Sequence, residues 1–508
     1  MNMIIQMITF IVNLAINFYL TRYVTEHVGK EIYGFVSLAY QTINYVTIFT
    51  IGLNTMLNRY ITISLANKDY AAAKRYFSSV IVANSVITLV LLLPSIICVI
   101  YLEYFLKVPS ANLADIKLLW AFIFTNFLVS LVMNPYSVGT YAANRLDVSG
   151  RITMENVIMK VFILVACFTC FSPKVWYVGM AHFVCGLWII VANIYNTRKL
   201  VPELRFSKSS VRKNSVFELM KVGIWSSVQQ MSTILINGCD MLLTNIYINA
   251  ASMTLMGFAK TIPSYLMTII GIISESFNPQ MTIIYAKGDM DEFVKYVRSA
   301  IKVCGFICSV PILGFIAFGY DFLGLWLRVL TDKEVFTVQI LSIMILAQTI
   351  FDVYIMPLYT VNTITCKLKV SVLVSLGIGV ANIIGSIVLC KCTNLGVYAI
   401  QLVSSVLLTG RVFLFAPIYA AKILNQKWWT FYGPLLRGML SSAIILAFFA
   451  LYKMVIPSDT WLLLVVAAVV CGFVGYSINY LIVLDIKERE MVKAMLQKKL
   501  FTNKKVIE

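Results

Sequence analysis

The sequence has little charge and little histidine. Of its 508 residues, 13% are charged, against roughly 25% in soluble globular proteins. The mean hydropathy is +0.85, and no long hydrophilic segment separates the apolar runs. The chain therefore has no room for a soluble catalytic domain. With only two histidines, His27 and His182, metal chemistry is not expected either.

Motifs for nucleotide, zinc or redox chemistry are also scarce. The phosphate-loop pattern GxxxxGK[ST] does not occur, and the glycine-rich stretch 375–385 lacks the strand context that such a loop requires. Most of the eleven cysteines lie inside apolar runs, where a thiol behaves as a small hydrophobic group. The pairs 167/170 and 390/392 have suggestive spacing, but the first has no histidine or acid in its span. We expect no cofactor, no metal, no ATP and no enzymatic activity.

Apolar runs of about 20 residues, long enough to cross a bilayer as a helix, recur along the whole chain. The first run lacks a basic n-region and a cleavage site, so we interpret it as a retained helix and not as a signal peptide. The sequence predicts an all-α polytopic membrane protein of about fourteen transmembrane helices. The predicted spans are 3–21, 33–56, 78–102, 115–142, 153–171, 175–195, 220–246, 253–284, 300–320, 336–360, 368–390, 394–418, 431–452 and 461–484.

The connectors between these spans alternate in basic charge. One set, together with the tail from Asp485, carries about 28 of the 41 Lys and Arg residues, and the other set carries about nine. The positive-inside rule places the richer set in the cytoplasm. Both termini are then cytoplasmic, which an even number of spans requires. The net charge of +18 thus reflects topology and an affinity for anionic headgroups, and nucleic acid is not an expected partner.

A charged stretch, ANKDYAAAKRYFSS at 66–79, has a counterpart about 220 residues later in the chain. The two copies share polar positions such as Asp69 and Asp289, which chance similarity among apolar helices does not explain. A second pair of segments matches at nearly the same offset. We infer a duplicated unit of six spans, and because six is even, both copies cross the membrane in the same sense, as in many transporters. The paired segments are 58–81 with 278–301, and 134–149 with 356–371.

The duplication predicts two parallel six-helix lobes followed by two extra helices. The predicted parts are a first lobe at 1–200, a basic cytoplasmic linker at 201–220, a second lobe at 221–426, helices 13 and 14 within 427–484, and a basic cytoplasmic tail at 485–508.

Three stretches carry a resemblance to a known family. They are TRYVTEHVGKEIYGFVSLAY at 21–40, NPYSVGTYAANRLDVSGR at 134–151, and WSSVQQMSTILINGCDMLLTNIYI at 225–248, which has a lone acid, Asp240, near its outer end. Together with the two-lobe layout, they resemble the polysaccharide-export branch of the multidrug/oligosaccharidyl-lipid/polysaccharide exporter superfamily. The arginine-rich first helix of the peptidoglycan-precursor branch is not seen here.

The resemblance implies a flippase in the bacterial cytoplasmic membrane. Its cargo would be an undecaprenyl-diphosphate-linked oligosaccharide for O-antigen, capsule or a related polymer, and its partners would include membrane lipids and polysaccharide polymerase machinery. A proton or sodium gradient, or removal of the product outside, would drive transport. Two alternatives stay open: a cation-coupled multidrug exporter of the same fold, and a membrane glycosyltransferase or polysaccharide polymerase.

A diphosphate cargo requires cations within the membrane. Once the charges near the span ends are assigned to the connectors, about four basic residues remain within the predicted spans. Each costs roughly 2.5–3.5 kcal/mol at a helix centre, so each should face a cavity or a partner. Lys260 is the first candidate for a diphosphate contact and Arg411 the second. Lys160 and Arg437 lie nearer the predicted cytoplasmic ends, where snorkelling to headgroups is an equal alternative. Arg22, at the outer end of the first span, is a weaker candidate.

Acids and amides complete the predicted site. Asp240, Glu275 and Asp352 lie in predicted spans, where they could take up protons, bind sodium or neutralise a cation. Asp240 and Lys260 flank the same predicted outer loop and could meet. Sugars would be held by polar side chains of the first and seventh spans. The candidates are Asn13, Asn17, Gln229, Gln230, Ser232 and Asn237.

Overall fold

The structure, a computed structural model, describes residues 2–143, 145–365, 367–485 and 488–489. The predicted basic tail therefore lies almost wholly outside the described residues. The described chain is helical nearly throughout. Its first ten α-helices are α1 (Asn2–Val28), α2 (Lys30–Val46), α3 (Ile48–Ala66), α4 (Tyr70–Ile100), α5 (Leu102–Phe105), α6 (Leu113–Met133), α7 (Val138–Ala142), α8 (Leu146–Cys170), α9 (Trp176–Leu200) and α10 (Lys213–Thr233).

Ten further α-helices follow in the described chain. Two short π-helical turns interrupt it, at Ile234–Gly238 and at Arg411–Phe415. The helices are α11 (Asp240–Tyr247), α12 (Ala250–Glu275), α13 (Asn278–Ala286), α14 (Met290–Trp326), α15 (Asp332–Ile364), α16 (Leu368–Cys392), α17 (Val397–Gly410), α18 (Ala416–Ile423), α19 (Tyr432–Val455) and α20 (Trp461–Ile482).

Each predicted span falls on helical structure, although several spans cover more than one of these helices. Within the described part of the chain, eleven helical segments are long and apolar enough to cross a membrane, so the protein is a multi-pass, all-α membrane protein. The predicted spans outside these eleven are 3–21, 33–56 and 220–246. The predicted span 33–56 is divided at Thr47, and the predicted span 220–246 is divided by a π turn. The exact number of fourteen spans stays a prediction.

The repeated charged stretch forms the same local structure twice. In the first copy, Lys68 has a left-handed backbone with φ of 58°, and the Asp69 side chain caps α4 by accepting the Ala72 N–H. In the second copy, Gly288 has φ of 80°, and Asp289 caps α14 in the same way. The polar positions shared by the two copies therefore end one membrane helix and begin the next.

A serine at the same position in both copies forms a hydrogen bond to a residue much later in the chain. In the first copy, the Ser79 hydroxyl in α4 accepts a hydrogen bond from the backbone N–H of Arg212, at 2.9 Å. In the second copy, the Ser299 hydroxyl in α14 donates to a carboxylate oxygen of Glu488, at 2.7 Å. Each copy thus anchors a polar stretch beside the start of its third span.

The described chain divides into two compact units. Unit 1 comprises Met1–Gly257 and Val372–Ile400, and unit 2 comprises Phe258–Ser371 and Gln401–Glu508. In unit 1, α3 and α10 cross in close contact at Gly52 and Gly223. In unit 2, Tyr354 of α15 is buried and donates its hydroxyl to the Gly438 carbonyl of α19, at 3.0 Å.

These units group the helices differently from the predicted lobes, because α10, α11 and α16 pack with the first six spans. The predicted linker 201–220 is also shorter than expected, since α10 already begins at Lys213. The lobe boundaries, which describe the sequence repeat, stay a prediction.

Candidate functional site

A polar pocket opens within unit 1, between the α2–α3 region, the end of α6 and α10. Its volume is about 420 Å³. Five of its lining side chains are amides, four are hydroxyls and three are apolar, and none is charged. The lining residues are Asn44, Thr47, Thr50, Ile51, Asn54, Thr55, Leu57, Asn58, Asn134, Ser137, Val138 and Gln230.

The amide side chains of the pocket differ in their hydrogen bonds to the rest of the protein. Asn54 is committed to the fold: its Nδ2 donates to the Thr50 carbonyl at 3.0 Å, and its Oδ1 accepts from Asn84 at 3.1 Å. The side chains of Asn44, Asn58 and Gln230 make no hydrogen bond to any other residue in the described ranges. Their donors and acceptors are available to a ligand.

Sequence reasoning found only Gln230 of this pocket. It missed a polar stripe on α2 and α3, although the stripe has a visible signal. The polar residues Asn44, Thr47, Asn54 and Asn58 are spaced by three, seven and four, which places them on one face of a helix, with the apolar Ile51 between Thr47 and Asn54.

The other predicted sugar contacts lie elsewhere. Asn17 donates to the Asn13 carbonyl within α1, at 2.8 Å. Gln229 is exposed and does not line the pocket. Ser232 is fully buried and donates to the Val228 carbonyl at 2.8 Å. Asn237 is exposed in the first π turn.

Neighbouring helices hold that π turn in place. The Tyr45 hydroxyl of α2 donates to the Gly238 carbonyl at 2.6 Å, and Asn382 of α16 donates to the Ile236 carbonyl at 2.9 Å. A π turn leaves carbonyls without their usual helical donors, and such turns are frequent at functional sites. The seventh predicted span is therefore an interrupted helix with fixed geometry.

Lys160 lies near the middle of α8 and reaches into unit 1. Its Nζ lies 3.4 Å from the Tyr40 hydroxyl oxygen and 5.4 Å from the centroid of the Tyr40 ring. The same ring meets His182 of α9 edge-on, with centroids 4.9 Å apart. Tyr33 and Cys185 also lie close enough to interact electrostatically with the ammonium group.

Of the two alternatives for Lys160, snorkelling to the headgroups or a partner within the protein, the contact with Tyr40 agrees with the second. Within the described part of the chain, Lys160 contacts no carboxylate. It is a cation in a membrane helix surrounded by phenol, imidazole and thiol groups. An arrangement of this kind favours an anionic ligand.

Arg411 has a different environment, in unit 2. Its guanidinium lies 5.3 Å from the centroid of the Tyr359 ring and interacts electrostatically with Asp352 of α15. Asp352 is only 7% exposed. Asp352 is thus a buried acid that feels the charge of Arg411, and its role in ion coupling or in neutralising a cation stays a prediction.

The remaining predicted charges are dispersed. Lys260 is half-buried in α12, in unit 2, and is engaged by other residues of the protein. Asp240 is buried at the start of α11, in unit 1, so its pairing with Lys260 stays a prediction. Arg22 pairs with Glu26 on the same helix, at 2.8 Å.

Glu275 is the last residue of α12, and its side chain is exposed where the chain turns towards α13. The segment Ala250–Ala286, which includes Glu275, is one of the eleven that are long and apolar enough to cross a membrane. A role for Glu275 in ion coupling stays a prediction. Arg437 is more than half exposed and pairs with Asp485 at 2.8 Å, which agrees with a position near the end of its span.

Comparison with known proteins gives the family. Residues 1–281, more than half of the chain, match the family model described as "Polysaccharide biosynthesis protein". The chain belongs to this family. The resemblance found in its motifs is thereby confirmed.

A curated relative and two solved structures agree with this assignment. "Uncharacterized membrane protein EpsK" of Bacillus subtilis (strain 168) is 26% identical over 489 residues, which cover 95% of each chain. "Lipid II flippase MurJ, inward closed conformation" has a TM-score of 0.66 at 15% identity, covering 94% of this chain and 98% of that one.

An inward-facing "multidrug resistance MATE family transporter of the MOP superfamily" has a TM-score of 0.65 at 13% identity, covering 82% of this chain and 96% of that one. At such identities, the two structures establish a common fold. This agreement confirms the predicted all-α polytopic fold class.

Proposed function

We propose that the protein is a flippase that moves an undecaprenyl-diphosphate-linked oligosaccharide across the bacterial cytoplasmic membrane by alternating access. Its family is that of polysaccharide biosynthesis proteins, and it has many membrane-spanning helices. It shares its fold with the lipid II flippase MurJ. Loading would take place on the cytoplasmic side, where the basic connectors and both termini are predicted to lie.

The observation that carries the proposal is the environment of Lys160. A charged residue within a membrane-spanning segment is expensive and is expected to have a functional or a charged partner. Lys160 has Tyr40 and His182 beside it, and no acid among the described residues. A bound diphosphate would supply the missing negative charge. A carrier of cationic drugs has no use for a lysine in that position.

The predicted contacts extend this proposal. Lys260 and Arg411 are further candidates for the diphosphate, although Arg411 already interacts with Asp352. Asp240 and Asp352 are candidates for proton or sodium coupling, and Glu275 is a weaker one because its side chain is exposed. Polymerase machinery on the outer side would take up the product.

The test is flipping of a labelled undecaprenyl-diphosphate saccharide in proteoliposomes. Lys160→Gln removes the charge, whereas Lys160→Arg keeps it. A hydrogen bond to a charged group contributes about 1.5–3 kcal/mol, so Lys160→Gln should weaken substrate use by roughly 10- to 100-fold. Lys160→Arg should keep most of the activity, and Lys260→Ala should also lower it.

Lys391→Gln is the matched control. Lys391 also lies over a tyrosine ring, that of Tyr247 at 6.0 Å, but it is exposed in the last turn of α16. Its replacement should leave flipping unchanged. Equal flipping by wild type and Lys160→Gln would refute the assignment of Lys160. Efflux of a cationic dye by vesicles that flip no lipid would instead favour the multidrug exporter.

A further inference from the structure

We propose that the polar pocket of unit 1 binds an uncharged, hydroxyl-rich sugar of the lipid-linked cargo. The inference rests on the proposed function and deepens it, since it assigns the saccharide to a site separate from Lys160. Nine of the twelve side chains that line the pocket are amides or hydroxyls, and none is ionisable. A sugar hydroxyl donates one hydrogen bond and accepts others, and amide and hydroxyl side chains do the same.

The available amides define where the sugar binds. Asn44 and Asn58 project from the stripe on α2 and α3, and Gln230 reaches the pocket from α10. None of the three side chains is hydrogen-bonded to another residue in the ranges that the structure describes. Asn54, by contrast, holds α3 to Asn84 of α4. The pocket thus contains a fixed structural amide and three amides that a ligand can engage.

The size of the pocket limits what it can hold. About 420 Å³ lies in the lower part of the range for small-molecule sites, which is about 300–1,000 Å³. The pocket can hold one portion of an oligosaccharide but not a whole long chain. The rest of the glycan must extend outside the pocket.

The uncharged lining of the pocket favours a neutral sugar over an acidic one. With no lysine or arginine in the lining, an acidic sugar would lose its hydration without gaining a cation. The pocket therefore selects a neutral sugar at this position of the glycan, and the diphosphate has to bind elsewhere.

The pocket also lies on the side from which the cargo would be loaded. Asn58 stands eight residues before Ala66, the end of α3, and the connector that follows α3 is predicted to be cytoplasmic. Asn134 similarly precedes the predicted cytoplasmic connector that begins at 144. A sugar joined to its lipid in the cytoplasm would reach these amides first.

The experiment compares two probes on the full-length protein in detergent: undecaprenyl diphosphate, and the same lipid carrying one N-acetylglucosamine. Wild type should bind the sugar-bearing lipid more tightly. Asn58→Leu and Gln230→Leu should each weaken that binding by about 2- to 10-fold, the effect of losing one neutral hydrogen bond. Binding of the bare lipid should not change.

Gln229→Leu is the matched control, because Gln229 adjoins Gln230 on α10 but lies outside the pocket. It should bind both lipids as wild type does. A thermal midpoint for each variant verifies the fold, and Asn58→Ser and Gln230→Ala replace any leucine variant that does not fold.

The two proposals fail in different ways. Equal binding of both lipids by wild type, or equal losses for both lipids in the pocket variants, would overturn the sugar site and leave the flippase proposal standing. Failure of wild type to bind either lipid would overturn the proposed function and this inference with it.

Discussion

A close helix crossing in unit 1 allows a test of its packing. Gly52 of α3 and Gly223 of α10 face each other, and a Cβ added to Gly52 would lie 2.5 Å from the Gly223 carbonyl oxygen. The same Cβ would lie 2.8 Å from the Ser227 hydroxyl oxygen, whereas ordinary van der Waals contact begins at 3.4 Å. Because the obstacle is backbone, Gly52→Ala must push the two helices apart. Small residues at such crossings are typical of membrane helices.

The expected magnitude follows from two opposing effects. Overpacking a tight contact costs about 1–3 kcal/mol. Replacing glycine by alanine inside a helix favours folding by about 0.5–1 kcal/mol, since alanine has less backbone freedom to lose. The steric effect is the larger one, so Gly52→Ala should lower stability by roughly 0.5–2 kcal/mol. Gly223→Ala should do at least as much, because its Cβ would lie 2.3 Å from the Gly52 carbonyl oxygen.

The assay is thermal unfolding in detergent at one fixed scan rate, because membrane proteins commonly unfold irreversibly and midpoints then depend on the rate. Gly472→Ala in α20 is the control, since a Cβ there meets nothing within 4 Å. Its midpoint should equal or exceed that of wild type. Gly52→Ala should also weaken binding of the sugar-bearing lipid, because Gln230 lies about two turns beyond Gly223. Equal midpoints for Gly52→Ala and Gly472→Ala would refute the close crossing.

Two further predictions concern charged groups of unit 2. Asp352→Asn should destabilise the protein by less than the about 3–5 kcal/mol that breaking a close buried ion pair costs, since Asp352 interacts electrostatically with Arg411 but its Oδ1 has no hydrogen-bond partner among the described residues. A double-mutant cycle with Arg411→Gln should show that the two losses are not additive. Lys302, 6% exposed in α14, contacts both Asp485 and Glu488, so Lys302→Met should increase amide exchange at 482–489. The hydrogen bond from Lys302 lowers the pKa of Asp485. The stabilisation of the folded state by Asp485 is therefore complete above the unfolded-state pKa of about 3.9. It is lost as the pH falls through the lowered folded-state pKa. Asp485→Asn should reduce this pH dependence, while Glu488 still pairs with Lys302. The measurement is amide-exchange protection relative to the intrinsic rate, at pH 7 and at pH 3.

The positions of the helices could be predicted because a bilayer imposes length and hydrophobicity on each span. All predicted spans fall on helices. The interruptions at Thr47 and Ile234–Gly238 were not predicted, because a hydropathy pattern averages over the whole span. A π turn changes which backbone groups pair without changing composition. The turn between α12 and α13, which follows Glu275, was not predicted for the same reason.

The site was harder to predict, because a span gives the depth of a residue in the membrane but not its neighbours. Because Lys260 is predicted to lie deeper in the membrane than Lys160, it was the stronger candidate for a diphosphate contact. In the structure, Tyr40 of α2 reaches Lys160, whose neighbours are uncharged, whereas Lys260 is engaged by other residues. These neighbours make Lys160 the first candidate of our proposal. The pocket, in contrast, was accessible from sequence. Polar residues repeating at helical spacing within an apolar span must lie on one face, and a face of amides within a membrane needs water, protein or cargo to satisfy it. In a chain of this kind, a polar stripe therefore locates a site more reliably than a single buried charge, whose meaning depends on which helix packs against it.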